Sequence, residues 1–169
     1  MTKRHAVPFA ATVALVAAAD QVTKVIVRSS MDLWERIVVV DGLFWLTRIS
    51  NTGGAFGMLR GKQWLFVGTA VLILLAIAYA VVRLRIDGRW ERLALALVAG
   101  GAIGNLIDRV AFGGVTDFFD LGWFPIFNVA DIALDVGVAI LVVSLLFGKH
   151  ADPVSAEGDE PVEAIESDG

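Results

Sequence analysis

The chain has no cysteine, which excludes disulfides, thiolate metal sites, thiol nucleophiles and a lipid anchor on a cysteine of its own. Its two histidines, His5 and His150, stand near the ends of the sequence, so neither a Ser-His pair nor a His-containing zinc site has a supplier. Charge is scarce as well: 19% of the 169 residues are charged and 57% are hydrophobic, with a mean hydropathy of +0.72. That is too apolar for an ordinary soluble domain and reads as an integral membrane protein. Of the 18 acids, seven lie beyond His150, leaving 11 against all 14 bases in the rest of the chain. A surplus of three bases is ordinary membrane flanking charge and gives no case for nucleic acid.

What the chain does have is long apolar runs. A hydrocarbon core of ~30 Å needs ~20 apolar residues in a helix, and four stretches qualify: about 6–27, 63–83, 91–110 and 127–147. Trp64, Trp90 and Trp123 fall at or beside their ends, where an indole suits the headgroup level. The expected fold is an all-α membrane protein of four transmembrane helices, with a small extracytoplasmic β-hairpin between the first two. Residues 1–148 form that domain. Residues 149–169 are acidic, free of aromatics and rich in Pro, Gly and Ser, and are expected to be a disordered tail. An even number of spans puts both termini on one side. Arg83, Arg85, Arg89 and Arg92 crowd the short connection after the second span, which favours termini in the cytoplasm. The first span has some features of a secretory signal, with Lys3, Arg4 and an Ala17-Ala18-Ala19 site. Its apolar run continues past Asp20 and is too long for that, so a retained helix is expected.

Within the β-rich stretch 36–57, Ile37–Val40 and Leu43–Ile49 flank Asp41-Gly42. Two β-prone runs around Asp-Gly predict a hairpin, apolar enough to rest on the membrane surface. Helix 2 carries no charge from Leu65 to Tyr79 and reads as lipid-facing support. Gly100 and Gly104 form a G-x-x-x-G that lets helix 3 approach a neighbour closely.

The informative residues are those that a membrane disfavours. An Asp, Lys or Arg at mid-span costs ~2.5–3.5 kcal/mol, yet the spans contain Asp20, Lys24, Asn105, Asp108, Arg109, Asn128, Asp131 and Asp135. Because successive spans alternate in direction, the ends of helices 1 and 3 and the start of helix 4 reach one face of the bilayer. Asp131 then lies ~6 Å inside its helix boundary and Asp20 ~10 Å inside its own, predicting a polar pocket near that surface. Asp20 and Lys24, at i and i+4, read either as functional groups or as a buried structural pair. Asp108 with Arg109 reads as a local helix-end ion pair. Asn51-Thr52-Gly53-Gly54 is a turn or a substrate contact, and Asn128 can simply cap helix 4. Asp131 has no basic residue at i±3 or i±4, and Asp117 is a lone carboxylate in an apolar loop. Carboxylates are thus the available chemistry. Two that share a proton can hydrolyse a peptide bond, one activating water while the other polarises the carbonyl. Competing readings are a proton-coupled transporter lined by Asp20, Lys24, Asp131 and Asp135, and a divalent-metal transferase using Asp108, Asp117 and Asp131.

Five ordered motifs go further: Asp20-Gln21-Val22-Thr23-Lys24, Asn51 through Gly57, Gly101 through Arg109, Val115-Thr116-Asp117-Phe118 and Phe127 through Asp131. Together they resemble the motif set of the bacterial lipoprotein signal peptidases (signal peptidase II). The resemblance implies an aspartyl endopeptidase of the inner membrane, needing no metal or cofactor, working as a monomer among membrane phospholipids. Its substrate would be a prolipoprotein cut just before a diacylglyceryl-modified cysteine, at an active site near the outer face. It assigns Asp117 and Asp131 to catalysis. Asn51, Gly53, Asn105, Arg109, Asn128 and Ala130 would bind substrate or orient the pair, and Asp20, Lys24 and Asp108 would form the supporting polar network. The family's β-cradle corresponds to residues 37–50. The chain departs from the pattern at Gly54, where Ala is usual, at Leu134, where Ile is preferred, and at Asp135, where a neutral residue is expected.

Overall fold

The computed structural model describes residues 3–53, 62–84, 86 and 88–147. The acidic tail, Gly54–Gly57 of the second motif and Arg85 lie outside them. In chain order the elements are α1 (Lys3–Ser30), β1 (Arg36–Val40), β2 (Phe44–Asn51), α2 (Gln63–Arg83), α3 (Arg89–Phe112), β3 (Val115–Asp120) and α4 (Val129–Phe147). All four helices are long and apolar enough to cross a membrane.

Helix α3 is the centre of the bundle. More than half of its most apolar window is buried, against under a fifth for each of the other three helices. Small residues make this possible, because they let neighbouring backbones approach without leaving polar groups between them. A Cβ added at Gly100 would stand 2.7 Å from Val16 Cβ, and one at Gly104 would stand 2.5 Å from Asp20 Oδ2. The G-x-x-x-G therefore faces α1. A Cβ at Gly101 would stand 2.5 Å from the Ala130 carbonyl oxygen, so the adjacent glycine face receives α4. Helix α2 packs on α3 through Ile77, which meets Val98 and Ala99, and Ala70 is its other buried residue. Its Phe66, Thr69, Ala70 and Ile73 also wall a cavity, so it does more than the lipid-facing support its composition suggested.

The hairpin forms as expected: β1 pairs antiparallel with β2, and Gly42 occupies the left-handed region at φ +70°, where the absence of a side chain removes the steric penalty. Every residue of β1 is exposed. The sequence reading had Asp117 in a loop. Instead, residues Val115–Asp120 form β3, a third strand paired antiparallel with β2, with Ile49 opposite Asp117. The sheet order is β1-β2-β3. Val27 of α1 and Met31, just after it, pack against Phe118 of β3, with Leu46 of β2 alongside. The guanidinium of Arg48 in β2 donates to the carbonyls of Arg28 and Met31, satisfying acceptors that the end of α1 would leave orphaned. The sheet is thereby fixed to the end of the bundle where α1 finishes and α4 begins.

Candidate active site

Each carboxylate of the expected pair is held from a different element. Asp117 is buried on β3, and Asp131 lies in the first turn of α4. Asn128, immediately before that helix, connects them. Its backbone N–H donates to Asp131 Oδ2 at 3.1 Å, and its Oδ1 accepts the Asp131 N–H at 3.0 Å. This is a reciprocal capping box, with Asp in the position more often held by Glu. The Asn128 side-chain N–H₂ remains available and donates to Asp117 Oδ1 at 2.6 Å and to Asn105 Oδ1 at 3.1 Å. Asn128 thus caps helix 4, as its position suggests, and is hydrogen-bonded to both carboxylates.

The remaining carboxylate oxygens have donors of their own. Asn105 Nδ2 donates to Asp131 Oδ1 at 2.8 Å, and Asn51 Nδ2 donates to Asp117 Oδ2 at 2.9 Å. Asn51 is oriented in turn by the Gly53 N–H, which donates to its Oδ1 at 3.0 Å. Turn geometry and site geometry coincide there. Burial, and then the charge of Asp131, push the Asp117 carboxyl up to about 7, against the hydrogen bonds from Asn51 and Asn128 and the charge of Lys24. Such a group holds a proton near neutrality, as half of an acid-base pair must.

Behind the pair lies a buried ionic network. Lys24 Nζ is 2.8 Å from Asp20 Oδ2 and 3.8 Å from Asp108 Oδ2, with all three side chains fully buried. The same ammonium donates to Asn105 Oδ1 at 2.8 Å. Asp20 Oδ1 accepts the Ala130 N–H at 3.0 Å, tying α1 to the first turn of α4. Asp108 Oδ2 accepts the Thr116 N–H at 2.8 Å, fixing the residue before Asp117.

Two further residues, Arg28 and Gln21, to which the sequence assigns no role, belong to this network. Arg28 pairs with Asp108 at 3.2 Å and donates to Thr116 Oγ1 at 3.0 Å. Gln21 bridges Asp20, Asp108 and the Gly104 carbonyl. The signal for Arg28 was present in the spacing: residues 20, 24 and 28 fall on one helical face. The expected Asp108–Arg109 pair does not form. Asp108 turns toward α1, whereas Arg109 lies 5.1 Å from the Phe66 ring centroid and faces the cavity. Two acids and two bases, Asp20, Asp108, Lys24 and Arg28, leave the network electrically balanced, which is the condition for burying it.

Asp117 and Asp131 open into a cavity of about 420 Å³. Asn51, Asn105 and Arg109 share its lining with them, and Phe66, Ala70, Ile73, Phe124 and Leu134 give it apolar walls. Gly53, Asn128 and Ala130 are not part of this lining.

The family model described as signal peptidase (SPase) II matches residues 12–147. A lipoprotein signal peptidase of Moorella thermoacetica is 44% identical over 154 residues, covering 91% of this chain and 99% of that one. Another, from Symbiobacterium thermophilum, is 46% identical over 131 residues, with 75% and 86% covered. A solved structure described as a bacterial membrane enzyme determined in meso at 2.3 Å superposes with a TM-score of 0.78, at 32% identity over 92% of this chain and 94% of that one. A second, at 1.9 Å, gives a TM-score of 0.76 at 34% identity, with 83% and 94% covered. With the match running from within α1 to the end of α4, the chain belongs to the signal peptidase II family.

Proposed function

We propose that the chain is an aspartyl endopeptidase that removes the signal peptide from diacylglyceryl-modified prolipoproteins, cutting just before the lipidated cysteine. The observation that carries this reading is the shared anchoring of Asp117 and Asp131. One residue, Asn128, donates to both, and a separate amide donates to the second oxygen of each. Asn51 and Asn128 aim one lone pair of each Asp117 oxygen at a donor, leaving the others for water or substrate.

In the proposed reaction the ionised carboxylate takes a proton from a water molecule, whose oxygen bonds to the scissile carbonyl carbon. The protonated carboxyl donates to the carbonyl oxygen as negative charge develops there. As the C–N bond breaks, the proton taken from water passes to the leaving amine. Arg109, at the cavity wall, supplies positive charge to the oxyanion or to substrate carbonyls. No metal or cofactor enters this scheme. Asp108, one of three ligands in the metal-transferase reading, is committed to Arg28, Lys24, Gln21 and Thr116.

The apolar walls of the cavity suit a lipidated substrate. Burying acyl chains contributes ~0.8 kcal/mol per CH₂, which would hold the modified cysteine at the depth of the pair, so that lipid sets the cleavage position. The proposed orientation has both termini in the cytoplasm and the site near the outer face.

The test is cleavage of a diacylglyceryl-modified precursor by the wild type and by Asp117→Asn and Asp131→Asn. Loss of a positioned acid or base lowers rates by roughly 10²–10⁴, so both variants should be nearly inactive while still folded. Full cleavage by Asp117→Asn would refute the assignment, and equal cleavage of lipidated and unlipidated precursors in detergent would refute the role given to lipid.

A further inference from the structure

Asp135 lies on α4 one helical turn beyond Asp131, about 6 Å further along the axis at helical rise. It is exposed, and it lines the same cavity as the two aspartates. Every other acid deep in the helices is engaged: Asp20 and Asp108 by Lys24, and Asp131 by Asn105 and Asn128. The Asp135 carboxylate makes neither a hydrogen bond nor an ion pair with the described residues. Leu134, Ile73, Ala70 and Ala102, which line the cavity with it, are apolar. A carboxylate kept inside a span with no partner in the fold is a functional group whose partner comes from outside.

Two parts of the substrate enter this cavity on the peptidase reading, on which the present inference rests. Acyl chains carry no hydrogen-bond donor, so covering Asp135 with them would remove its solvation and return nothing. The peptide does carry donors. We propose that Asp135 marks the peptide side of the cavity and is a specificity-determining residue, accepting a hydrogen bond from a hydroxyl side chain just upstream of the scissile bond. A separation of about 6 Å corresponds to roughly two residues of extended chain. The favoured hydroxyl, Ser or Thr, therefore belongs to the second residue before the bond. The apolar segment upstream of the cut also runs deeper into the bilayer, the direction in which Asp135 lies from Asp131.

Thr and Val have nearly the same shape, so two lipidated precursors differing only in Thr or Val at that position isolate the hydroxyl. The full chain in detergent, as wild type, Asp135→Asn and Asp135→Leu, is assayed on both, with kcat and KM determined separately. A hydrogen bond to a charged group predicts roughly a ten-fold preference for Thr in wild-type kcat/KM, carried mainly by KM. Asp135→Leu should abolish or invert the preference and Asp135→Asn should reduce it. A Thr-to-Val ratio that stays the same in both variants overturns the assignment, and should the Leu protein not accumulate, an unchanged ratio in the Asn protein is sufficient. Equal wild-type cleavage of the two precursors also overturns it while leaving the peptidase reading intact, whereas failure to cut either one defeats both.

Discussion

Asn128 reaches Asp117 with a 2.6 Å hydrogen bond from a position that also caps the helix carrying Asp131. Cap and catalytic geometry are therefore one structure. Asn128→Ala should cost about 1 kcal/mol of stability as a lost cap and a much larger share of kcat. It should also move the pH profile in a defined direction. The Asn128 bond holds the Asp117 pKa down, so its removal shifts the alkaline fall in activity to higher pH. A profile that merely loses height, with no shift, would mean that Asn128 acts only through the helix.

The Asp117 carboxyl titrates at about 7 in the folded protein, well above its ordinary value of 3.8. A pair that works with one proton between them loses that proton as pH rises through this value, so kcat/KM should decline above about pH 7. The measured inflection belongs to the pair as a whole. Stability follows the same sign. Between the two pKa values the folded state binds the proton and the unfolded state does not, so the melting temperature should fall from pH 5 to pH 8. In Asp117→Asn that slope should shrink, which a pair of thermal scans at the two pH values will show.

Lys24 is fully buried between Asp20 and Asp108. Replacing it with Met leaves two carboxylates and the Asn105 amide oxygen facing a space without their shared cation. Removing one partner of a buried ionic network typically costs about 3–5 kcal/mol. Lys24→Met should melt far below the wild type, and Asp20→Asn combined with Lys24→Met should recover part of that loss. It should not recover all of it, because Asp20 also holds the Ala130 N–H. Additive losses in the double variant would show that the network is not coupled.

How much of this was legible beforehand depends on the range of the interaction. Span lengths and the Asp41-Gly42 hairpin are local, and apolar run length or turn chemistry reveals them directly. β3 is not local. Its residues are buried on nearly every position, so it shows no alternation of apolar and polar side chains, the pattern by which a half-buried strand is recognised. Its partner β2 is 66 residues away at the Asn51–Asp117 bond. The polar residues could be placed on one face from helix direction and spacing. Partner choice could not, because adjacency in sequence suggested Asp108 with Arg109, while tertiary packing gave Asp108 to Arg28. Asn128, Asn105 and Asn51 carried no signal of their own that they would supply one donor to each carboxylate oxygen.

Gly101 provides a test of how closely the helices must approach for the site to form. A methyl group there would meet the Ala130 carbonyl oxygen at 2.5 Å and Leu134 Cγ at 2.9 Å. Backbone oxygen cannot rotate away, so Gly101→Ala must push the start of α4 off α3. That displacement acts on the turn that carries Asn128 and Asp131, and it stretches the Asn105 bond to Asp131, since Asn105 lies one turn along α3 from position 101. Activity should therefore fall by at least ten-fold at temperatures where the variant is still folded. Gly68→Ala in α2 is the matched control: an added Cβ there meets nothing within 4 Å, and Ala in place of a helical Gly is favourable by roughly 0.5–1 kcal/mol. It should leave cleavage unchanged and raise the melting temperature slightly. Wild-type activity in Gly101→Ala would show that α4 can move relative to α3 without disturbing the pair, and the geometry on which the proposed chemistry rests would not be required.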